Sequence, residues 1–228
     1  MIDVKQNIAD LKGSLPDGTR LVAISKTKPA DMIQQAYDAG QRLFGENKAL
    51  EMRDKHQVLP NDIEWHFVGH LQTNKIKYIV QYVTLIHSID SLTLLQAVNK
   101  EAAKHERVVD CLLQFHIAQE ETKFGLDRAE CEELMNHYGE LSNVRIVGVM
   151  GMATKTDDMD QVRREFRNLH NIFDNLKANR FADNPEFKEI SMGMSHDWQI
   201  AVEEGSTLVR LGSSIFGARD YGVQENDI

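Results

Sequence analysis

The chain has 228 residues, no long apolar run, fewer basic than acidic groups, and only two cysteines. No stretch approaches the roughly 18 uninterrupted apolar residues that a membrane-spanning helix needs. The start, Met1-Ile-Asp-Val-Lys-Gln, lacks a basic segment followed by an apolar one, so no signal peptide is expected. Lys and Arg number 26 against 35 Asp and Glu, a net charge of −9, which disfavours non-specific nucleic-acid binding. Cys111 and Cys131 show neither CxxC nor zinc-ligand spacing, and Cys111 reads as a small core residue inside an apolar run. A reducing, cytoplasmic setting is the expectation. His66 and His70 are four apart, but Gly69 between them and the absence of an HExxH glutamate argue against a metal pair, and no metal is expected. There is no low-complexity segment and no linker.

What is present is alternation. Apolar, β-rich runs occur at 21–25, 42–45, 65–69, 84–88, 108–117, 144–150, 189–192 and 207–211. Helical patterns fill 30–39, 46–56, 74–81, 92–105, 128–141, 157–179 and 197–204. Caps are recognisable at Asp90 and Ser91, at Asp127, and at Ser195 before a turn starting at His196. Strand–helix alternation predicts a parallel sheet. Its repetition predicts an α/β fold of the (β/α)8 barrel type, one domain over residues 1–228, with an open doubly wound sheet as the alternative. Residues 1–20 carry Ile8 and Leu11 at helical spacing, and a leading helix over the barrel floor is expected.

In such a barrel the chemistry sits at the C-terminal ends of the strands. The first strand ends on Ser25-Lys26, the second on Gly45-Glu46-Asn47, the seventh on Met192-Gly-Met194-Ser195, and the eighth on Gly212-Ser213-Ser214. Lys26 is either a solvated strand-end lysine or, if burial lowers its pKa, a carbonyl nucleophile. Lys28, just before Pro29, reads as the bland one of the two. The Gly-Met-Ser and Gly-Ser-Ser turns follow the strands at which barrels often bind phosphate; each alone is an ordinary turn, and the pair points to a phosphate cradle. Arg210 lies inside the last strand, where a charge is costly unless paired or bound. It reads either as half of a salt bridge or as a donor to a pyridine nitrogen, which a guanidinium would keep unprotonated. The first and last strands of a closed barrel are neighbours. Lysine, arginine and phosphate turn would then meet at one mouth, a set that suits a phosphorylated aldehyde held as a Schiff base. His87, His116 and His196 read as structural. The acidic pairs Glu120-Glu121 and Asp157-Asp158 read as solvated helix starts, and 221–228 as an acidic, frayed tail.

Val22-Ala-Ile-Ser-Lys26-Thr-Lys-Pro29, Phe44-Gly-Glu-Asn47, Trp65-His-Phe-Val-Gly-His-Leu-Gln-Thr-Asn-Lys75, Ser191-Met-Gly-Met-Ser195 and Val209-Arg-Leu-Gly-Ser-Ser-Ile-Phe-Gly-Ala-Arg219 together resemble the pyridoxal phosphate homeostasis protein (YggS/PROSC) family. The motifs run in order over nearly the whole chain. The resemblance implies a barrel like the N-terminal domain of alanine racemase, with pyridoxal 5′-phosphate (PLP) as cofactor. Lys26 would carry the Schiff base, Arg210 would face the pyridine nitrogen, and Asn47 would lie near the ring. Ser195, Gly212 and Ser213, with the Met194 backbone, would form the phosphate cradle. Thr122-Lys123-Phe124-Gly125 departs from the family's usual loop, which touches lid detail and not the cofactor site. The implied role is keeping PLP in supply, with PLP-dependent enzymes as recipients and without a clear enzymatic activity. A weak racemase-like enzyme is the runner-up, and a cofactor-free Schiff-base aldolase a weaker third. A monomer is expected, since the barrel alone would complete the site.

Overall fold

The computed structural model describes residues 2–119 and 124–218. The Glu120-Glu121 pair, Thr122, Lys123, Arg219 and the tail read from sequence lie outside the described residues. After α1 (Val4–Ser14), the chain alternates β1 (Arg20–Ile24), α2 (Ala30–Asp38), β2 (Leu43–Glu46), α3 (Ala49–His56), β3 (Glu64–Phe67), a 3-10 turn (Thr73–Tyr78), β4 (Leu85–Ile89) and α4 (Leu92–Ala103). It continues with β5 (Val109–Phe115), α5 (Arg128–Tyr138), β6 (Val144–Gly151), α6 (Met159–Asn179), β7 (Glu189–Ser191), α7 (Trp198–Glu203), β8 (Leu208–Leu211) and α8 (Ser213–Phe216). All neighbouring strands pair in parallel and the sheet closes, so the expected (β/α)8 barrel is the fold.

Local sequence explains the elements. On α6, Val162, Phe166, Leu169 and Leu176 recur at helical spacing and are buried, while Asp158 caps the start by accepting from the Gln161 N–H at 3.0 Å. Asp127 and Glu130 form a reciprocal capping box on α5, and Ser91 accepts from the Leu94 N–H at 3.2 Å to start α4. Three expectations shift. The segment after β3 is a short 3-10 turn rather than an α-helix. α3 begins at Ala49, because Glu46 still belongs to β2. The Met194 N–H donates to Asp197 Oδ1 at 2.5 Å, which tightens a turn, so Ser195 sits in that turn and α7 starts only at Trp198.

The leading helix does not cover the floor. α1 lies in the outer ring against α2 and α8, with Val4 and Ile8 buried. Asn7 Nδ2 donates to the Ile215 carbonyl at 2.9 Å and Lys12 Nζ to that of Gly40 at 2.9 Å. Because α8 has only four residues, the ring has a place to fill between β8 and α2, and α1 takes it.

Apolar side chains on alternate strand positions form two cores. Phe44, Trp65, Phe67, Ile86, Cys111 and Leu211 face the helices, and both cysteines are free and buried. Val22, Leu85, Leu112, Val147, Met150 and Leu208 fill the barrel interior. The β5–β6 register shifts after Cys111, where the bulge at Val147 lets Gly148 pass directly against β7. A Cβ on Gly148 would stand 1.9 Å from the Glu189 carbonyl oxygen. Glu189 in turn pairs with Arg20 at 2.6 Å and accepts from Thr207 Oγ1 at 2.7 Å, linking β7 to β1 and β8. His66 and His87 are also buried, with His87 Nε2 2.9 Å from His66 Nδ1. Burial, helped by the Arg20 charge, holds His66 down at about 3. Burial first, then the charges of His66, Arg210 and Arg20, hold His87 well below the usual 6.5.

Two outcomes follow. Gly148→Ala should destabilise the chain by about 3 kcal/mol, because backbone rather than a flexible side chain blocks the new methyl; urea unfolding of the variant with an unchanged midpoint would contradict the close packing. The buried histidines set a pH dependence. The unfolded chain takes up their protons as pH falls through about 6.5 while the folded chain leaves them neutral. Stability present above that pH is therefore lost below it, by about 1.4 kcal/mol per pH unit for each ring. Urea titrations at about pH 7 and about pH 5 should show the loss, and His66→Gln should make it shallower; an identical slope in the variant would count against a neutral His66.

Candidate functional site

Alternation along β1 places Val22 and Ile24 with the interior set, and the same parity carries Lys26, two residues beyond Ile24, to the rim. On β8, Leu208 faces inward and Arg210 follows on the same face. The β1–β8 register sets Val22 opposite Arg210 and Ala23 opposite Leu211, so the lysine and the arginine belong to adjacent strands. A cavity of about 640 Å3 opens at this end of the barrel. That lies within the range of about 300–1,000 Å3 usual for small-molecule sites. Lys26, Asn47, Met194, Ser195, Arg210, Gly212 and Ser213, each singled out from the sequence, all line it.

Arg210 is the chemical centre of this cavity. Its side chain is buried and has neutral partners: Nη1 donates to Ser191 Oγ at 2.6 Å and Nη2 to the Gly151 carbonyl at 3.1 Å. The salt bridge left open by the sequence is not formed with any described carboxylate. Burial lowers its pKa to about 10, with Asp197 opposing, so the group stays cationic at neutral pH. Ser191 Oγ lies 2.9 Å from His87 Nδ1. Since a guanidinium only donates, Ser191 accepts there and can turn its O–H to His87 Nδ1. His87 then carries its proton on Nε2 and donates to His66 Nδ1. This chain from β8 through β7 and β4 to β3 orients the guanidinium without neutralising it. From sequence His87 read as structural and His66 as no metal ligand, and their connection through Ser191 was not legible there.

The two turns read from sequence as a phosphate cradle also come together. Gly212 N–H points to Ser195 Oγ at 3.5 Å, so the turns after β7 and β8 are adjacent. Gly193, at φ +93, makes the first turn, and the Arg210 N–H donates to its carbonyl at 2.9 Å. The opening N–H groups of α8 have no partner within that helix, so backbone donors and two serine hydroxyls face one corner of the cavity. Asn47 is placed by Gly69, where a Cβ would approach the Asn47 carbonyl oxygen to 2.4 Å. Lys28, read as bland, also lines the cavity; its Nζ donates to the carbonyls of Phe216 at 3.0 Å and Ala218 at 2.8 Å, tying the segment after β8 to β1. Lys155 and Met152 complete the opposite wall.

Beneath Lys26 lies a buried ionic cluster that the sequence reading passed over. Lys55 Nζ donates to Glu46 Oε1 at 2.7 Å, to Glu51 Oε1 at 2.7 Å and to the Ser25 carbonyl at 2.8 Å. Its only advance signal was the Glu51/Lys55 spacing of one helical turn, which usually marks a surface pair. Among the described residues no group of His, Cys, Asp and Glu is arranged to hold a metal, and no helix is long and apolar enough to cross a membrane.

The chemistry at this mouth is a lysine amine, a buried cation with spare donor capacity, and hydroxyl and N–H donors for an anion. Residues 2–220 match the alanine racemase N-terminal domain family. The pyridoxal phosphate homeostasis protein of Aquifex aeolicus is 38% identical over 217 residues, which is 95% of this chain and 94% of the relative. The structure of PipY from Synechococcus elongatus without PLP superposes with a TM-score of 0.87 at 34% identity, covering 94% of this chain and 100% of that one. PipY has also been solved with PLP bound, and that structure matches with a TM-score of 0.85 at 33% identity. Alanine racemase from Bartonella henselae, at 16% identity and a TM-score of 0.73, shares the barrel but extends beyond it, since this chain covers 62% of its length. The chain belongs to the alanine racemase N-terminal domain family and, within it, to the pyridoxal phosphate homeostasis proteins.

Proposed function

We propose that this protein holds pyridoxal 5′-phosphate in the cavity between β1 and β8 and serves its supply rather than catalysing a reaction of its own. The observation that carries the reading is the meeting of Lys26, Arg210 and the Ser195/Gly212/Ser213 turns around one cavity, in a chain whose relative PipY has been solved with PLP bound. When bound, pyridoxal phosphate supplies an aldehyde that condenses with a lysine amine.

Each residue has a role that its surroundings support. Lys26 offers the amine at the strand end. Ser195, Ser213 and the opening N–H groups of α8 take the phosphate, with the Gly212 N–H beside Ser195 Oγ and with Met194, whose own N–H is held by Asp197 Oδ1, lining the corner. Asn47, set by its contact with Gly69, lies beside the ring. Arg210 takes the pyridine nitrogen. Already oriented by Ser191 and Gly151, and with a pKa near 10, it donates a hydrogen bond without surrendering a proton. An unprotonated ring nitrogen withdraws few electrons, which suits holding over turnover. A monomeric binding unit, cytoplasmic location and delivery to PLP-dependent enzymes belong to the same reading. The shared barrel of alanine racemase favours weak racemase-like turnover as the second reading.

Two experiments test this. Purified protein mixed with pyridoxal phosphate should gain a visible absorbance band, and borohydride should fix a pyridoxyl adduct on the peptide carrying Lys26, with none in Lys26→Ala and no steady-state racemisation of alanine. Absence of any aldimine band beyond the absorbance of free pyridoxal phosphate would overturn the binding reading; racemisation at ordinary enzyme rates, lost in Lys26→Ala, would overturn the non-catalytic one. Arg210→Met should weaken PLP binding roughly ten-fold or more, the worth of a hydrogen bond to a charged group. The same change removes a buried charge whose hydrogen-bond partners are neutral, and the relieved desolvation offsets the lost attraction to Asp197, so the melting temperature of the unloaded chain should hardly fall. Parallel losses of both would instead make Arg210 structural.

A further inference from the structure

The buried cluster under Lys26 holds the backbone on both of its sides. On one side, Ser25 is fully buried; its Oγ donates to Glu46 Oε1 at 2.6 Å, and its carbonyl accepts from Lys55 Nζ at 2.8 Å. On the other side, Thr27 sits in the left-handed region at φ +64, and its N–H donates to Glu51 Oε1 at 2.6 Å. A β-branched residue at such a φ is a true outlier, costing on the order of 1–3 kcal/mol, and persists only where its surroundings over-determine it. Lys55 supplies that determination. Its three donors are all used, on Glu46, Glu51 and the Ser25 carbonyl, so one ammonium ties both carboxylates to the strand end. Well-packed apolar side chains would stabilise such a place at least as well as buried charges, whereas charges fix one geometry.

We infer that Glu51, Lys55 and Glu46 are positioning residues: they clamp Ser25 and Thr27, and through them present the Lys26 amine to the cavity. The inference rests on Lys26 being the lysine that takes pyridoxal phosphate. The cluster touches no part of the cavity's phosphate corner, and it acts on the lysine through the backbone. Glu51 is the member to test, because its side chain is 22% exposed on α3 and its loss leaves the buried Glu46–Lys55 pair in place.

The experiment measures how fast pyridoxal phosphate is trapped on Lys26 by borohydride, beside the melting temperature of the unloaded chain. Glu51→Ala and the bulkier Glu51→Met, both helix formers, should slow trapping roughly five-fold or more, as expected when a reacting group loses its orientation. Glu51→Gln keeps an amide oxygen that can accept from the Thr27 N–H and should stay within about two-fold of the parent. Hydrogen exchange at the Thr27 amide should quicken in the first two variants and not in the third. Trapping at the parental rate in Glu51→Ala and Glu51→Met overturns the inference and leaves the binding reading intact. Equal slowing in all three variants overturns it too, because the acceptor is retained in one of them. A parent chain that forms no Lys26 adduct overturns the binding reading, and this inference with it.

Discussion

Parallel pairing of β1 with β8 is the constraint on which the site depends. Arg20, Leu21, Val22 and Ala23 lie opposite Leu208, Val209, Arg210 and Leu211, and this register closes the barrel. Closure leaves no sheet edge to satisfy and buries both faces of every strand, which is why these strands are short and nearly uniformly apolar. It also decides the chemistry. With inward positions on both strands at the same parity, the rim beyond β1 carries a lysine and the wall of β8 carries a guanidinium. Slipping either strand by one residue would send one of them out among the helices.

A guanidinium inside a barrel is a poor contributor to stability, and its surroundings show how the fold tolerates it. Ser191 and the Gly151 carbonyl give it hydrogen bonds without opposing charge, and two neutral histidines extend the polar line across the interior. The result is a cation fixed in direction, with Asp197 as a partial electrostatic counterweight and no ion pair to a described carboxylate. Lys55 is handled in the opposite way, with two carboxylates around it. One buried cation has neutral hydrogen-bond partners, and the other is ringed by carboxylates and holds backbone.

Much of this was legible in the sequence because strands in a barrel announce themselves one at a time. Each apolar run ends on small or polar residues, and the parity from Val22 to Lys26 needs no partner strand to be counted. The two turns that meet at the cavity were readable for the same reason, as Gly-Met-Ser and Gly-Ser-Ser follow strands seven and eight. What stayed hidden depends on contacts between elements. Lys55 on α3 has the same local pattern as a solvated lysine, and only the packing of α3 against β2 turns it toward Glu46. The line from Arg210 to His66 crosses four strands, so no single segment betrays it. α1 was legible as a helix, but its place in the ring follows from the brevity of α8, at the far end of the chain.

The clasp made by Lys28 on the carbonyls of Phe216 and Ala218 has a consequence for the birth of the molecule. Its partners in the first of these bonds are 188 residues apart in the chain. Domains of this kind emerge from the ribosome N-terminus first, and long-range pairings form slowly because loop closure precedes any reward. Lys26 and its supporting cluster can therefore assemble early, on β1, β2 and α3, while the arginine and the anion corner arrive with the last strand. A nascent or truncated chain would present Lys26 without Arg210 or the turns that line the cavity beside it. The cavity is completed in one late event, when β8 docks and Lys28 fastens the segment that follows it.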